Sequence, residues 1–354
     1  MKFNNSQQAF IALVQAGLWE RETGLASFNP IDYTEILHLA EVQMVTGLVA
    51  AGTEYVADYK IPQEDLLQIT EKALQIERRS KAVDEFVEHL IKTLREKSVY
   101  TLLIKGQGIA QCYERPQWRT CGDIDLLFSK DNYEAAKSLL TQMASSVGEE
   151  DVKRKHLALT IDNWVIVLHG TLRTDLRKRI DGVLDSVLDD VFYSGSVRSW
   201  VNGKTLVFLP RADEDVILVF ARIFRGFHAE KIELLQICDW CRLLYTYRDK
   251  IDRRLLEKRL KAARVMGIWK VFATVAVEYL GMPSEAMPFY KSSRFLRKKA
   301  EMVLALVMDA GNTSQGKDRN HRGMRFLKAI WLFCSYLFVP QWGRNKNRIN
   351  KDHE

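Results

Sequence analysis

The sequence predicts an α+β fold in which a small sheet is held between N-terminal helices and a large C-terminal helical region. Three observations carry that prediction. Apolar residues recur at helical spacing before position 98 and again after 212, the strand-like segments fall between, and only seven prolines interrupt 354 residues.

In chain order, Gln7 to Ala16, Tyr33 to Ala51 and Gln63 to Lys97 read as helices. The last shows its stripe in Leu66, Ile69, Ala73, Ile76, Val83, Phe86, Val87, Leu90 and Leu94. Tyr100 to Ile104 is a strand candidate that ends at Lys105 and Gly106. Ile124, Leu126, Leu127 and Phe128 make a second strand around Asp123 and Asp125. Tyr133 to Met143 is helical. Leu157 to Ile161 and Trp164 to Leu168 form a hairpin about Asp162-Asn163. Gly182 to Ser194 is helical or extended, and Val201 to Leu209 is a hairpin around Gly203. Beyond Ala212 the segments Glu214 to Arg225, Ile232 to Tyr247, Arg253 to Met266, Ile268 to Leu280 and Ser293 to Leu306 all have helical spacing. The expected division is 1–98 N-terminal helices, 99–210 core sheet, 211–310 helical region, and 311–354 linker, amphipathic helix and basic tail.

Composition is that of a folded globular chain, 47% hydrophobic and 27% charged, which excludes a disordered or fibrous protein. A net charge of +7 permits an anionic partner but does not choose among nucleotide, nucleic acid and phospholipid. The basic runs at Arg253 to Arg264 and Arg294 to Lys299 are read as solvated helix faces, and there is no strong nucleic-acid signal. Five cysteines without an even framework, and an N terminus unlike a signal peptide, lead to the expectation of a reducing, cytoplasmic setting. Cys238 and Cys241 have no second pair to complete a zinc site and are assigned to packing. Phe326 to Val339, with Trp331, Phe333, Tyr336 and Phe338 among its aromatics and with basic flanks, is too short to span a bilayer, for which about 20 apolar residues are needed. It is read as a terminal helix packed on the body or on a second copy, with contact to a membrane interface as the other option.

The chemistry concentrates in Leu103 to Phe128. In an extended strand Asp123 and Asp125 lie on one face. Two neighbouring carboxylates repel unless a cation neutralises them, and an all-oxygen pair suits Mg2+ or Mn2+. Glycine at 106 lets bare backbone approach a phosphate.

At these residues the sequence resembles the DNA polymerase beta-like nucleotidyltransferase superfamily. It is most similar to a family of largely uncharacterised bacterial nucleotidyltransferases whose pattern is matched here by Lys105, Gly106, Tyr113, Arg119, Asp123, Ile124, Asp125, Leu126 and Leu127. Segments resembling Ala16-Gly17-Leu18-Trp19 and Leu235-Gln236-Ile237-Cys238-Asp239-Trp240 extend the likeness over most of the chain. The resemblance implies a nucleotidyltransferase-type mixed sheet and two-metal transfer of a nucleoside monophosphate from an NTP to an acceptor: a small molecule, a sugar phosphate or a protein hydroxyl. It makes Asp123 and Asp125 the catalytic metal ligands and gives the triphosphate to Lys105, Gly106 and Arg119. Arg119 has a second reading, as a cap or a stack on Trp118.

One departure counts against turnover. The superfamily's third carboxylate falls here at Val167, in Trp164 to His169. Either another acid, Asp162 or Asp175, serves instead, or the chain is a degenerate nucleotide- and metal-binding or partner-dependent regulatory module of a toxin-like kind. His169, on the same strand face as Val167, is either a group supporting the site or a satisfied core histidine.

Overall fold

The computed structural model describes residues 3–174, 176–229 and 231–309. The linker, terminal amphipathic helix and basic tail expected over 311–354, and Asp175, lie outside the described residues. No described helix is long and apolar enough to cross a membrane.

The N-terminal part contains α1 (Asn5–Trp19), α2 (Tyr33–Val42), α3 (Thr46–Thr53) and the 34-residue α4 (Gln63–Glu96). The single helix expected over Tyr33 to Ala51 is broken. Met44 takes a left-handed φ of 58°, and Gln43 is withdrawn into the core, where its side chain donates to the Val307 carbonyl and accepts from the Leu234 amide. The break lets α3 fold back onto α1. Gly17 makes that approach possible, since a Cβ there would stand 1.9 Å from the Leu48 carbonyl oxygen. On α4 the buried stripe runs Ile69, Ala73, Ser80, Val83, Val87, Leu90, Ile91 and Leu94. Its larger apolar members each contribute roughly 1.5–3 kcal/mol by leaving water.

The core sheet has the order β1 (Leu102–Ile104), β2 (Ile124–Leu127), β5 (Trp164–His169), β4 (His156–Ile161), β3 (Ser146–Val147). It is mixed: β2 and β5 are parallel, and the other pairings are antiparallel. A short α5 (Gly106–Ala110) follows β1, and α6 (Lys130–Met143) follows β2. The β4–β5 turn is at Asp162-Asn163 as expected, both with positive φ, the conformation that two-residue hairpins require.

Alternation gives the sheet two chemically different faces. Leu103, Ile124, Leu126, Leu157, Leu159, Ile166 and Leu168 join one apolar core with Val83, Val87, Leu90 and Leu94 of α4 and Tyr133, Ala136 and Leu140 of α6. Asp125, Val167 and His169 therefore fall on the opposite face. Beyond the sheet come α7 (Lys178–Tyr193), the hairpin β6 (Arg198–Asn202)–β7 (Thr205–Leu209), then α8 (Ala212–His228), α9 (Leu234–Thr246), α10 (Arg253–Ala262), α11 (Met266–Thr274) with a π-helical continuation Val275–Tyr279, and α12 (Arg294–Asp309). Phe10, Leu13 and Leu18 of α1 share a second core with Trp240, Trp269, Phe272 and Leu304, so the first and last helical regions are packed together. Cys238 and Cys241 are fully buried in it, in keeping with a packing role.

Candidate active site

Lys105 is the first sign of a site. It links β1 to α5 at φ 62°, ψ −151°, a region open essentially to glycine alone and costing other residues on the order of 1–3 kcal/mol. The next residue, Gly106, also has positive φ, and a Cβ there would meet nothing nearer than the Asp123 carbonyl oxygen at 3.8 Å. The strained turn brings the Lys105 ammonium to 2.7 Å from Asp125 Oδ1.

His169 Nε2 lies 2.7 Å from the same oxygen. Burial works against the Asp125 carboxylate, but the charge of Lys105 and the hydrogen bond from His169 outweigh it and hold its pKa well below the usual range. Burial and the Lys105 charge push His169 down to about 4, although Asp125 pulls the other way. The imidazole is therefore neutral near pH 7, and it donates Nε2–H to Asp125. His169 is thus partly buried with Asp125 as its partner, a contact that bears on both readings of this histidine.

Asp123 stands one residue before β2, exposed at the strand's mouth. Partial burial and the neighbouring Asp125 raise its pKa, against the opposing charges of Lys105 and Arg222. The two aspartates thus differ, one locked in ion pairing and one open to solvent.

Val167 is in parallel register beside Asp125, buried, between it and Ala158 of β4. It is on the face and at the level where a third acid would complete the pair. Asp162 does not substitute, because at the far end of the hairpin it is five residues, about 16 Å, away along the strand.

Lys105 and His169, the two groups that hold Asp125, line a cleft of about 660 Å³ including its open mouth. Arg154, His156, Thr171 and Arg173 border it, with Leu218, Ala221, Arg222 and Arg225 of α8 opposite. Arg154 is paired with Asp151, and Arg173 with Asp185. His156 lies opposite His169 in register, its ring edge-on at 5.0 Å. A cleft with this excess of cations, whose Lys105 and His169 both hold the carboxylate of Asp125, suits an anionic ligand that carries a metal.

A family model described as an uncharacterised nucleotidyltransferase matches residues 29–281. The chain belongs to this family. Membership brings nucleotidyl transfer as the general activity and a nucleoside triphosphate as substrate. No curated protein and no solved structure matches the chain.

In this family member the residues expected at the site do not all meet. Lys105, Gly106, Asp125 and His169 come together with Asp123 beside them, but Arg119 is elsewhere. Its side chain is buried, with Nε 3.0 Å from Asp239 Oδ1 and Nη2 2.7 Å from Asp239 Oδ2, and it does not border the cleft. Tyr113 donates to the same carboxylate at 2.8 Å. The residue that stacks on Trp118 is Arg115, 4.5 Å from the ring centre. Arg119 is therefore not available to a phosphate in this arrangement; it ties the segment leading to Asp123 onto α9. Asp239, beside the fully buried Trp240, is the other half of that tie.

The cations Arg154, Arg173, Arg222 and Arg225 were not singled out in the sequence. The three-residue spacing of Arg222 and Arg225 was legible, but only the cleft that α8 shares with Lys105, His156 and His169 reveals what they face. His156 was within reach of sequence reasoning, since extending the hairpin register by one pair sets it against His169.

Among the described residues no three acids, histidines or cysteines are arranged to hold a metal ion. The donor set is Asp123 and the Asp125 oxygen not engaged by Lys105 and His169. That would fit a magnesium ion held by one or two carboxylates plus substrate phosphates, and among the described residues no third acid joins them for a second ion.

Proposed function

We propose that this chain transfers a nucleoside monophosphate from an NTP to an acceptor bound in the cleft over β2 and β5. Mg2+ or Mn2+ would be held by Asp123 and Asp125 together with the phosphates, and would neutralise charge and polarise the transferred phosphoryl group. Lys105 and the Gly106 backbone bind the triphosphate. Neutral His169 orients Asp125 by donating to one oxygen and leaves the other for the cation. The observation that carries the reading is the shared contact of Lys105 and His169 with Asp125 at the strained Lys-Gly turn. Small molecules, sugar phosphates and protein hydroxyls are the acceptor classes in view.

Val167 supports a second reading, a nucleotide- and metal-binding regulatory module that no longer turns over. One experiment tests both. The protein is incubated with each labelled NTP, Mg2+ or Mn2+ and a cell extract, beside Asp123→Asn and Asp125→Asn. Label transferred by the wild type alone supports the enzyme, and triphosphate binding without transfer supports the binder. Neither transfer nor binding refutes both.

A further inference from the structure

The cleft has a second wall whose chemistry is unassigned. Arg222 and Arg225 are three residues apart on α8, so their side chains leave the same side of the helix. Leu218 and Ala221 border the same cleft from the preceding turn, so this face of α8 is turned toward the sheet and toward Lys105. Arg154 and Arg173 nearby are tethered to Asp151 and Asp185, whereas neither α8 arginine forms an ion pair with a described residue. The charge of Arg222 acts on Asp123, and that of Arg225 on His156, which sets the pair beside the carboxylate end of the cleft and its histidine side.

Guanidinium groups kept close to one another and to an ammonium repel, unless an anion is to enter between them. Their planar donor forks match phosphate oxygens two at a time. Stabilisation of the helix C-terminus accounts for Arg225, which is in the last turn of α8, but not for Arg222.

We infer that Arg222 and Arg225 form a clamp for the β- and γ-phosphates of the donor, facing Lys105 and Gly106 across the cleft. The clamp rests on the reading of this cleft as the triphosphate site and adds a selectivity to it. It makes the chain discriminate for a triphosphate tail over a monophosphate, and it places the departing pyrophosphate between α8 and the Lys105 turn at the end of β1.

The test measures binding of each magnesium NTP, the corresponding NMP and inorganic tripolyphosphate to the full chain. Wild type is compared with Arg222→Gln/Arg225→Gln, Arg225→Gln alone and Arg222→Lys/Arg225→Lys, with exposed Arg254→Gln on α10 as the charge control. The expected result is a loss of about 10-fold or more in affinity for NTP and tripolyphosphate per arginine removed. NMP binding should change little, the lysine pair should recover part of the loss, and Arg254→Gln should match wild type. Should the double variant not fold, as judged by circular dichroism, Arg225→Gln at its exposed position carries the same comparison. A change within about threefold, or an equal loss for NMP and NTP, overturns the clamp and leaves the proposed function standing. A wild type that binds neither NTP nor tripolyphosphate overturns both.

Discussion

Arg119 and Asp239 make the sharpest claim about what holds the site in place. Their side chains are 4% and 2% exposed, and two hydrogen bonds of 3.0 and 2.7 Å join them across 120 residues of sequence. Breaking such a pair by removing one charge costs about 3–5 kcal/mol, because the other charge stays buried without compensation. Arg119→Met leaves the carboxylate with only the Tyr113 hydroxyl as a described partner. Asp239→Asn keeps an acceptor for Tyr113 but leaves the guanidinium, whose charge Asp239 sustains against burial, without its counterion. Each single variant should lose about 3–5 kcal/mol. The double variant buries no net charge and retains the Tyr113 bond, so its loss should be near 1–3 kcal/mol, for the remaining amide. The coupling is then several kcal/mol, far above the roughly 0.3–0.5 kcal/mol expected of independent sites. Urea unfolding followed by tryptophan fluorescence reads all four proteins, with Trp118 and Trp240 adjacent to the pair in sequence. Single losses under about 1 kcal/mol, or a double loss equal to the sum of the singles, would show that the pair is not the tie described here.

Two further outcomes follow from the same geometry. His169 stays neutral in the fold down to about pH 4, whereas the unfolded chain protonates it near 6.5. Wild type should therefore lose up to about 3 kcal/mol between those values that His169→Gln does not lose. Asp215, pushed up to about 6 by burial against the pull of Arg198, acts with the opposite sign in part of that window. The readout is thus the difference between the two proteins' stability curves, and parallel curves would contradict the assignment. Gly17→Ala should cost about 1–3 kcal/mol or more, since its Cβ would lie 1.9 Å from a backbone oxygen of α3 that cannot swing aside. An unchanged thermal midpoint would mean that α1 and α3 separate easily.

Much of the architecture was legible because it follows local rules. The α4 stripe, the Asp162-Asn163 hairpin and the helices after 212 depend on spacing and turn chemistry within a few residues of each other. The break at Met44 was not legible, because nothing in Tyr33 to Ala51 forbids one helix. It is decided by the contacts of Gln43 with Leu234 and Val307, nearly two hundred and more residues away. Periodicity does not show helix α5, because five residues are too few for one; a helix after Lys105-Gly106 is implied by the family resemblance alone.

The resemblance carried by the sequence implied that Lys105-Gly106 and Asp123-x-Asp125 share a site, and that the third acid's place falls at Val167. The structure adds the pairings, antiparallel between β1 and β2 and parallel between β2 and β5, that set Ile104 and Val167 on either side of Asp125. Only the tertiary structure decided which cations face the cleft. It took Arg119 out of it by giving the guanidinium a buried counterion from α9, and it brought Arg222 and Arg225 in by setting α8 along the cleft. A charged side chain's role depends on which opposite charge reaches it, and the partners offered here come from elements far apart in the chain.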